Sequence, residues 1–578
     1  MDKLLLIDMK KGETIFSEMP ARYSGLGGRG MTSTVVAGEV HPLCHPLAEE
    51  NKLVMAPGLL TGTTASCSGR LSIGAKSPLT GGIKESSTGG LAAQKLARLD
   101  IGAIIIEGLP ATRDLYIVHI DANGARVIIA NELRGLNNNE TVERLTGKYG
   151  NKVGYICIGR AGEMRLAASS IATTDMDNIP CRHAGRGGLG AVMGSKGIKA
   201  IVVDDRGAAS VAVGDAKEFS EFNKLWAKSL LDDPNTGVGM PAQGSAAGTV
   251  IMNREGAFPT RNFRFGQFEG VSEISGKAMR KIIKERGGRQ ALPCSPGCVI
   301  RCHRVYNDKD GKYIGKGPEY ETIWAFGANL EIDNLDIIAE MGAICDDCGV
   351  DTLDVGVAVG MAMEAGIIDF GDGPGALKLV REIEKASYLG RILASGAATT
   401  ARVLGVSRVP VVKGQAMVAY EPRVIKGMGV SLATSPMGAD HTSGYATAVN
   451  LGWAKNWRYV PKLQVWGQME MSREIQVRQA AMDSLGLCMF GNTPLLNDRN
   501  ALPGVLGMIN TKYGWHWQEE DFVALGKEVM KKEHEFNVRA GFSPAMDRLP
   551  LFFYKEPVPP LNTVFDIPDS ELDRFYDF

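Results

Sequence analysis

The sequence predicts an α+β protein: a β-rich N-terminal domain, residues 1–208, followed by two mainly α-helical domains, 209–411 and 412–578. Three observations predict it. Short apolar or alternating runs bounded by turn residues continue up to Val203, helical spacing of apolar residues takes over afterwards, and Val409-Pro410-Val411 marks a break between two helical stretches.

Strands are expected at 4–7, 102–106, 115–120, 125–130, 153–158 and 200–203, with Asp121-Ala122-Asn123-Gly124 as a turn between two of them. The texture changes after Asp204-Asp205-Arg206-Gly207. Helices are expected at 215–231, 275–286, 329–347, 351–366, 375–404, 471–485, 500–512 and 517–536, where charged faces alternate with apolar ones and Gly, Asp, Ser or Thr marks the ends. Pro410 cannot continue the helix that reaches about Leu404, which sets the second boundary. The stretch 547–578, rich in proline and aromatics, is expected to wrap the surface.

Composition removes several function classes. With 64 Lys+Arg against 65 Asp+Glu the net charge is -1, so no global basic field exists to hold nucleic acid or an anionic membrane. No apolar run approaches the ~20 residues of a spanning helix. The first thirteen residues read as a strand and lack the features of a signal peptide, so a cytoplasmic protein without membrane insertion is expected. Ten cysteines in 578 residues are too sparse for a disulfide scaffold. Glycine is in excess: 71 residues, about 12% against an average near 7%, without a three-residue period. Such an excess signals tight turns, or backbone that comes close to something.

Two glycine-arginine loops echo one another, Gly25-Leu26-Gly27-Gly28-Arg29-Gly30 and Gly185-Arg186-Gly187-Gly188-Leu189-Gly190. Both match G-x-G-x-x-G in form, but neither follows the hydrophobic strand that a dinucleotide fingerprint requires. Bare backbone N–H groups beside guanidinium forks suit phosphate or a flat heterocycle instead. The bland alternative is a pair of tight turns with surface arginines.

Cys294, Cys298 and Cys302 stand within nine residues around a Pro-Gly turn. Grouped soft thiolates suit zinc or an iron–sulfur cluster; no second pair follows for zinc, and a cubane needs a fourth thiolate from elsewhere. Two segments have the form D-x-x-G-x-[D/C]: Asp346 to Asp351 and Asp483 to Cys488. Each fits a helix ending on a left-handed glycine followed by a capping side chain. Carboxylates at such corners can accept hydrogen bonds from the ring N–H and amine groups of a pterin, and the second copy offers Cys488 as the fourth thiolate. Cys345 and Cys348 lie in a helical pattern and are taken as core thiols.

These segments resemble the tungsten-containing aldehyde:ferredoxin oxidoreductase family over essentially the whole chain. The resemblance is carried by Gly27-Gly28-Arg29-Gly30, by Gly69-Arg70 through Lys76-Ser77-Pro78-Leu79-Thr80-Gly81, and by Ala184 through Lys196. It continues in Gly317-Pro318-Glu319-Tyr320-Glu321-Thr322, both D-x-x-G corners, Lys413-Gly414, Tyr420-Glu421-Pro422-Arg423, and Ala433 through His441. The C-x3-C opening of the cysteine motif is the form associated with bacterial branches of that family.

The resemblance implies a tungsten bis-molybdopterin (tungstopterin) centre and a [4Fe-4S] cluster, with a magnesium ion between the pterin phosphates. Domain 1–208 would be the base under both pterins, 209–411 would carry the cysteine motif and one pterin corner, and 412–578 the other corner with the fourth cysteine. Arg29, Arg70, Lys76, Arg182, Ala184, Gly185, Arg186, Gly187, Gly188, Asp346, Asp351, Asp483 and Leu487 would bind the pterins or their phosphates. Cys294, Cys298, Cys302 and Cys488 would hold the cluster, and Glu321 and His441 would face the metal. Side chains added at Gly187 or Gly188 are expected to cost cofactor before fold.

The expected reaction oxidises an aldehyde to a carboxylic acid. His441 would hydrogen-bond the carbonyl oxygen, Glu321 would orient or deprotonate the attacking water, and electrons would leave through the cluster to ferredoxin or a ferredoxin-like subunit. The alternative within the superfamily is the tungsten subunit of a low-potential aromatic thioester or acid reductase complex. A different class, a non-catalytic electron carrier, is disfavoured by the joint presence of Glu321, His441 and both corners. Ser86-Ser87-Thr88 stands where a magnesium-binding Asn is expected. Glu340 matches an acidic ligand of the iron that bridges the family's homodimers, while the region near Arg391 lacks its histidine.

Overall fold

The computed structural model describes all 578 residues. The N-terminal part folds into two six-stranded sheets. The first contains β1 (Lys3–Asp8), β2 (Glu13–Glu18), β3 (Leu53–Pro57), β4 (Leu71–Lys76), β5 (Ile83–Thr88) and β6 (Ile101–Glu107). The second contains β7 (Tyr116–Asp121), β8 (Gly124–Ile129), β9 (Gly154–Cys157), β10 (Ile171–Thr173), β11 (Arg182–Ala184) and β12 (Ile198–Val203).

The two sheets are copies of one plan. Their orders are β2-β1-β6-β3-β4-β5 and β8-β7-β12-β9-β10-β11, so each strand of the first has a counterpart six places on. In each sheet one pair is parallel, β1 with β6 and β7 with β12, and both parallel pairs carry an irregularity at the same point of the ladder. Helices Gly28–Glu39 and Asn138–Tyr149 fill the same gap, after β2 and after β8; Ala92–Arg98 and Leu189–Ser195 fill the other. Gly25-Leu26 and Gly135-Leu136 precede the first pair of helices, with φ of 76° and 75° at the glycines. Only glycine adopts this left-handed turn without cost.

This duplication corrects the sequence reading. The two glycine-arginine loops are not equivalent points of the repeat: the first opens the helix after β2, the second the helix after β11. The second loop also follows a strand, which was not expected at Arg182–Ala184. That strand is a three-residue edge pairing antiparallel with β10, so no βαβ unit arises.

The six expected strands fall on β1, β6, β7, β8, β9 and β12. Those missed include β4 (LSIGAK) and β5 (IKESST), whose polar and small residues are nonetheless largely buried because they face the centre of the molecule. The expected helix 375–404 is broken into Gly373–Glu384, Tyr388–Leu393 and Ala397–Leu404, by the Ser387 cap and by Gly396 at φ 92°. The helix expected from 329 starts at Leu335, where Asn334 caps the Asp336 and Ile337 amides. The end of the chain does more than wrap the surface: Phe553, Phe565 and Phe575 are fully buried. No helix is long and apolar enough to cross a membrane.

Each D-x-x-G corner is seated on one sheet repeat. A Cβ at Gly28 would stand 2.1 Å from the Asp483 carbonyl oxygen, and one at Gly58, just after β3, 2.0 Å from the Gly486 nitrogen. On the second repeat a Cβ at Gly159, just after β9, would stand 2.3 Å from the Cys348 oxygen. Part of the glycine excess is therefore the close approach of the helical regions to the two repeats.

Candidate functional site

Helix Leu335–Cys348 ends on Gly349 at φ 75° and helix Gln468–Leu485 on Gly486 at φ 79°, both left-handed. Asp351 caps the next helix by accepting from the Asp354 N–H at 3.1 Å, whereas Cys488 makes no capping bond. Basic groups face each corner. Arg29 Nη1 lies 3.3 Å from Asp483 Oδ2 while its Nη2 reaches Glu533 at 2.7 Å. Arg186 Nε lies 3.3 Å from Asp351 Oδ2 and its Nη2 3.5 Å from Asp354. Lys316 stands 3.1 Å, and His183 Nε2 3.5 Å, from Asp346.

Burial dominates the acid–base behaviour of this set. It pushes Asp483 up to about 6, against the pull of Arg29. It pushes Glu85 up to about 8, helped by the Asp483 carboxylate, and Asp354 up to about 7, opposed by Arg186 and helped by Asp351. His183 is pushed down to about 4, a neutral imidazole. Asp440 goes the other way: Lys84 and Arg186 overcome its burial and keep it ionised.

The thiols come from three segments. Cys294 and Cys302 are buried, Cys298 and Cys488 half-buried. The Cys298 and Cys294 thiols act on one another, and Cys302 feels Cys294, Cys298 and Cys488. Arg70 faces Cys488, Cys294 and Cys302, donating to Cys488 Sγ at 3.2 Å. A fifth thiol, Cys67, acts on the Cys298 thiol; its N–H donates to Gly297 O at 3.1 Å and its carbonyl accepts from Cys488 N–H at 2.9 Å. No spacing in the sequence signals Cys67. Cys345 and Cys348 are buried in helix Leu335–Cys348.

A cavity of about 620 Å³ joins the cysteines to the expected catalytic pair, lined by Arg70, Arg182, Cys294, Cys302, Glu321 and His441 among others. Tyr320, Tyr420, Tyr445 and Trp453 supply aromatic wall. Glu321 opens helix Tyr320–Phe326; its Oε2 accepts from Ala419 N–H at 3.1 Å. Its Oε1 lies 3.2 Å from His441 Nε2 without an aligned hydrogen bond. Burial raises the Glu321 carboxyl above its ordinary range, opposed by His441. A groove of about 730 Å³ around Trp466 and Arg574 contains no thiol or imidazole.

Several residues sit elsewhere than expected. Lys76 Nζ donates to the Pro42 carbonyl and pairs with neither corner. A Cβ at Gly188 would stand 2.2 Å from the Ala167 carbonyl oxygen, so substitution there costs fold first, contrary to expectation; at Gly187 it would meet the Lys84 side chain at 2.4 Å. Gly185 is open, with only Asp351 Oδ1 near, at 3.6 Å. Ala184 and Leu487 are buried apolar neighbours of the loop and corner. Glu340 is ion-paired with Arg381, which neutralises the carboxylate an iron would need. Sequence reasoning missed Asp354, Glu85 and Lys84, which carry no motif of their own, and assigned no role to Asp440 within the Ala433–His441 segment.

The residues present fit a bis-pterin metal centre with a cluster beside it. Several buried polar atoms without a hydrogen-bond partner lie here: Arg182 Nε, His183 Nε2, Glu85 Oε1, Glu321 Oε1, Asp354 Oδ2 and His441 Nδ1. Buried polar groups are normally satisfied, so such a set marks atoms that await a polar ligand. The thiols crowd one another, and burial raises Cys302, and hydrogen bonding by Cys298 with burial raises Cys294, well above the ordinary thiol value. Such thiols bind metal with release of protons. Magnesium fits less well, since Ser86, Ser87 and Thr88 offer hydroxyls where an amide oxygen is expected.

Two family profiles match, "Aldehyde ferredoxin oxidoreductase, N-terminal domain" over residues 4–205 and "Aldehyde ferredoxin oxidoreductase, domains 2 & 3" over 221–578. The chain belongs to the aldehyde ferredoxin oxidoreductase family. It is 34% identical to the tungsten-containing aldehyde ferredoxin oxidoreductase of Thermococcus kodakarensis, over 96% of this chain and 92% of the relative. It is 35% identical to that of Pyrococcus abyssi, with the same two coverages, 96% and 92%. Among solved structures, the active site complex BamBC of benzoyl coenzyme A reductase with 1,5-dienoyl-CoA matches with a TM-score of 0.80 at 19% identity, over 100% of this chain and 94% of that one. That likeness establishes the fold.

Proposed function

We propose that this chain oxidises aldehydes to carboxylic acids at a tungsten bis-pterin centre and passes the electrons through a [4Fe-4S] cluster to ferredoxin or a ferredoxin-like subunit, in the cytoplasm. The observation that carries the reading is the cavity of about 620 Å³ on which Glu321, His441, Arg70, Arg182 and two of the grouped cysteines converge. Identity of 34% to tungsten-containing aldehyde enzymes, against 19% to the thioester-reductase structure, favours this over the reductase alternative.

The residues divide the work. Asp346, Asp351 and Asp483, each facing a basic group, hold the two pterins by their N–H edges, while Arg29 and Arg186 hold the corners to the glycine loops. Cys294, Cys298, Cys302 and Cys488 hold the cluster. When bound, the tungsten centre supplies two-electron oxidation of carbon and the cluster single-electron storage. Glu321 takes a proton from water through its Oε1, which lacks a hydrogen bond, and burial raises its proton affinity for that step. His441 donates an imidazole N–H to the carbonyl oxygen and stabilises the charge that develops there. The aromatic wall excludes bulk water from the reacting carbon. The domain division that serves this is 1–208 for the base, 209–411 for the cysteine motif with one corner, and 412–578 for the other.

Glu321→Gln tests the reading. Aldehyde-dependent turnover is expected to fall by about 10²–10⁴-fold, the usual range for loss of a general base, with tungsten and iron contents unchanged. Full activity in that variant contradicts the assignment.

A further inference from the structure

One buried group takes no part in the mechanism above. Asp175, Cys181 and His303 bring a carboxylate oxygen, a thiol and an imidazole nitrogen within 4.8 Å of one another. Cys181 Sγ and His303 Nε2 each stand 3.3 Å from Asp175 Oδ2. Such a donor set could bind zinc or iron. The hydrogen-bond directions argue otherwise. Arg182 Nη2, which can only donate, hydrogen-bonds His303 Nδ1, so Nδ1 accepts and the ring proton sits on Nε2. Nε2 then carries its proton beside Asp175 Oδ2, 3.3 Å away, and has no lone pair for a metal.

The chain is fixed at each link. Asp175 Oδ1 accepts from the Asp177 and Ile179 amides at 2.9 and 3.0 Å. His303 is tied by a reciprocal pair of backbone hydrogen bonds to Leu292, at 3.0 and 3.1 Å, and directly follows Cys302. Arg182 lines the cavity beside Cys294 and Cys302, and its charge, with that of Arg70, acts on the Cys294 thiol. The relay thus runs from the β10–β11 connection to a cation held against the cysteines.

We propose that Asp175 and His303 are positioning residues that fix the Arg182 guanidinium beside the iron–sulfur cluster and thereby raise its reduction potential. The proposal rests on the reading that these cysteines hold a cluster. A fixed positive charge favours the more negative, reduced cluster, and a loosened one favours it less.

The test is an anaerobic, EPR-monitored redox titration of the holoenzyme and three variants, with metal analysis of each. Asp175→Asn turns a donor toward His303 Nε2, and His303→Phe removes both the donor toward Asp175 and the acceptor for Arg182. Each is expected to cut the reduced-to-oxidised ratio about tenfold at the wild-type midpoint, equal to 59 mV for a one-electron couple, with iron content unchanged. Cys181→Ser, whose hydroxyl still donates to Asp175, is expected to leave the midpoint in place. Unchanged midpoints in both Asp175→Asn and His303→Phe, with full iron, overturn the proposal. So does a stoichiometric zinc, or an iron beyond the cluster's own, that is lost in Cys181→Ser. A wild-type protein without any iron–sulfur signal overturns the cluster reading itself, and that failure is visible before any variant is made.

Discussion

Arg70 Nη2 donates to Cys488 Sγ at 3.2 Å, tying the end of the second D-x-x-G corner to the first sheet repeat. That contact distinguishes two cysteines. Cys488 lies among Arg70, Cys302 and, through Arg70, Cys294, whereas the Cys67 thiol acts on Cys298. Cys488→Ser is therefore expected to bring iron below about four atoms per chain and to convert or lose the cubane signal. Cys67→Ser is expected to keep both, as read by iron assay and EPR. The opposite pattern would make Cys67 the fourth ligand.

Arg29 is 2% exposed and paired with Glu533, which is fully buried, as well as with Asp483. Removing one member of a buried pair leaves the other charge unpaired, typically at a cost of roughly 3–5 kcal/mol. Arg29→Ala should lower stability by about that amount in urea denaturation of the cofactor-free protein. An Arg29→Ala, Glu533→Leu double variant should recover part of it, because Glu533 no longer leaves a buried unpaired charge while Asp483 still lacks its cation.

Glu85 gives stability a pH dependence of unusual sign. Its pKa rises from 4.5 to about 8 on folding, through burial and the Asp483 carboxylate, so the folded chain holds a proton that the unfolded chain has released. Stability from this group is complete below 4.5 and is lost as pH climbs toward about 8. The urea midpoint of the cofactor-free protein should fall across that window, and Glu85→Gln should flatten the slope. A midpoint that rises with pH in the wild type and is unaffected by Glu85→Gln would contradict it.

The legible parts of the fold were those where one physical signal dominates. Strands such as β6 and helices such as Glu519–Arg539 have clear apolar periodicity, and both D-x-x-G corners show their left-handed glycines in the sequence. The strands facing the site were hidden because their burial is satisfied by the site and its ion pairs: Lys84 and Glu85 read as surface residues on a strand where both are buried. The duplication was hidden as well. Its traces, Gly25-Leu26 with Gly135-Leu136 and Gly89-Gly90-Leu91 with Gly187-Gly188-Leu189, are fainter than the misleading likeness of the two arginine loops. Cys67 and Asp175 lie far from any motif partner, and His303 follows Cys302 without any spacing that marks it, so only the folded chain brings them together.

The central claim is aldehyde oxidation at tungsten with electrons leaving through a cluster. Anaerobic purification with elemental analysis, followed by a viologen-coupled screen of aliphatic and aromatic aldehydes on the same sample, tests it most directly. About one tungsten and four iron atoms per chain are expected, with viologen reduction that depends on aldehyde and yields the carboxylate. Tungsten-loaded protein that reduces no viologen with any aldehyde would contradict it.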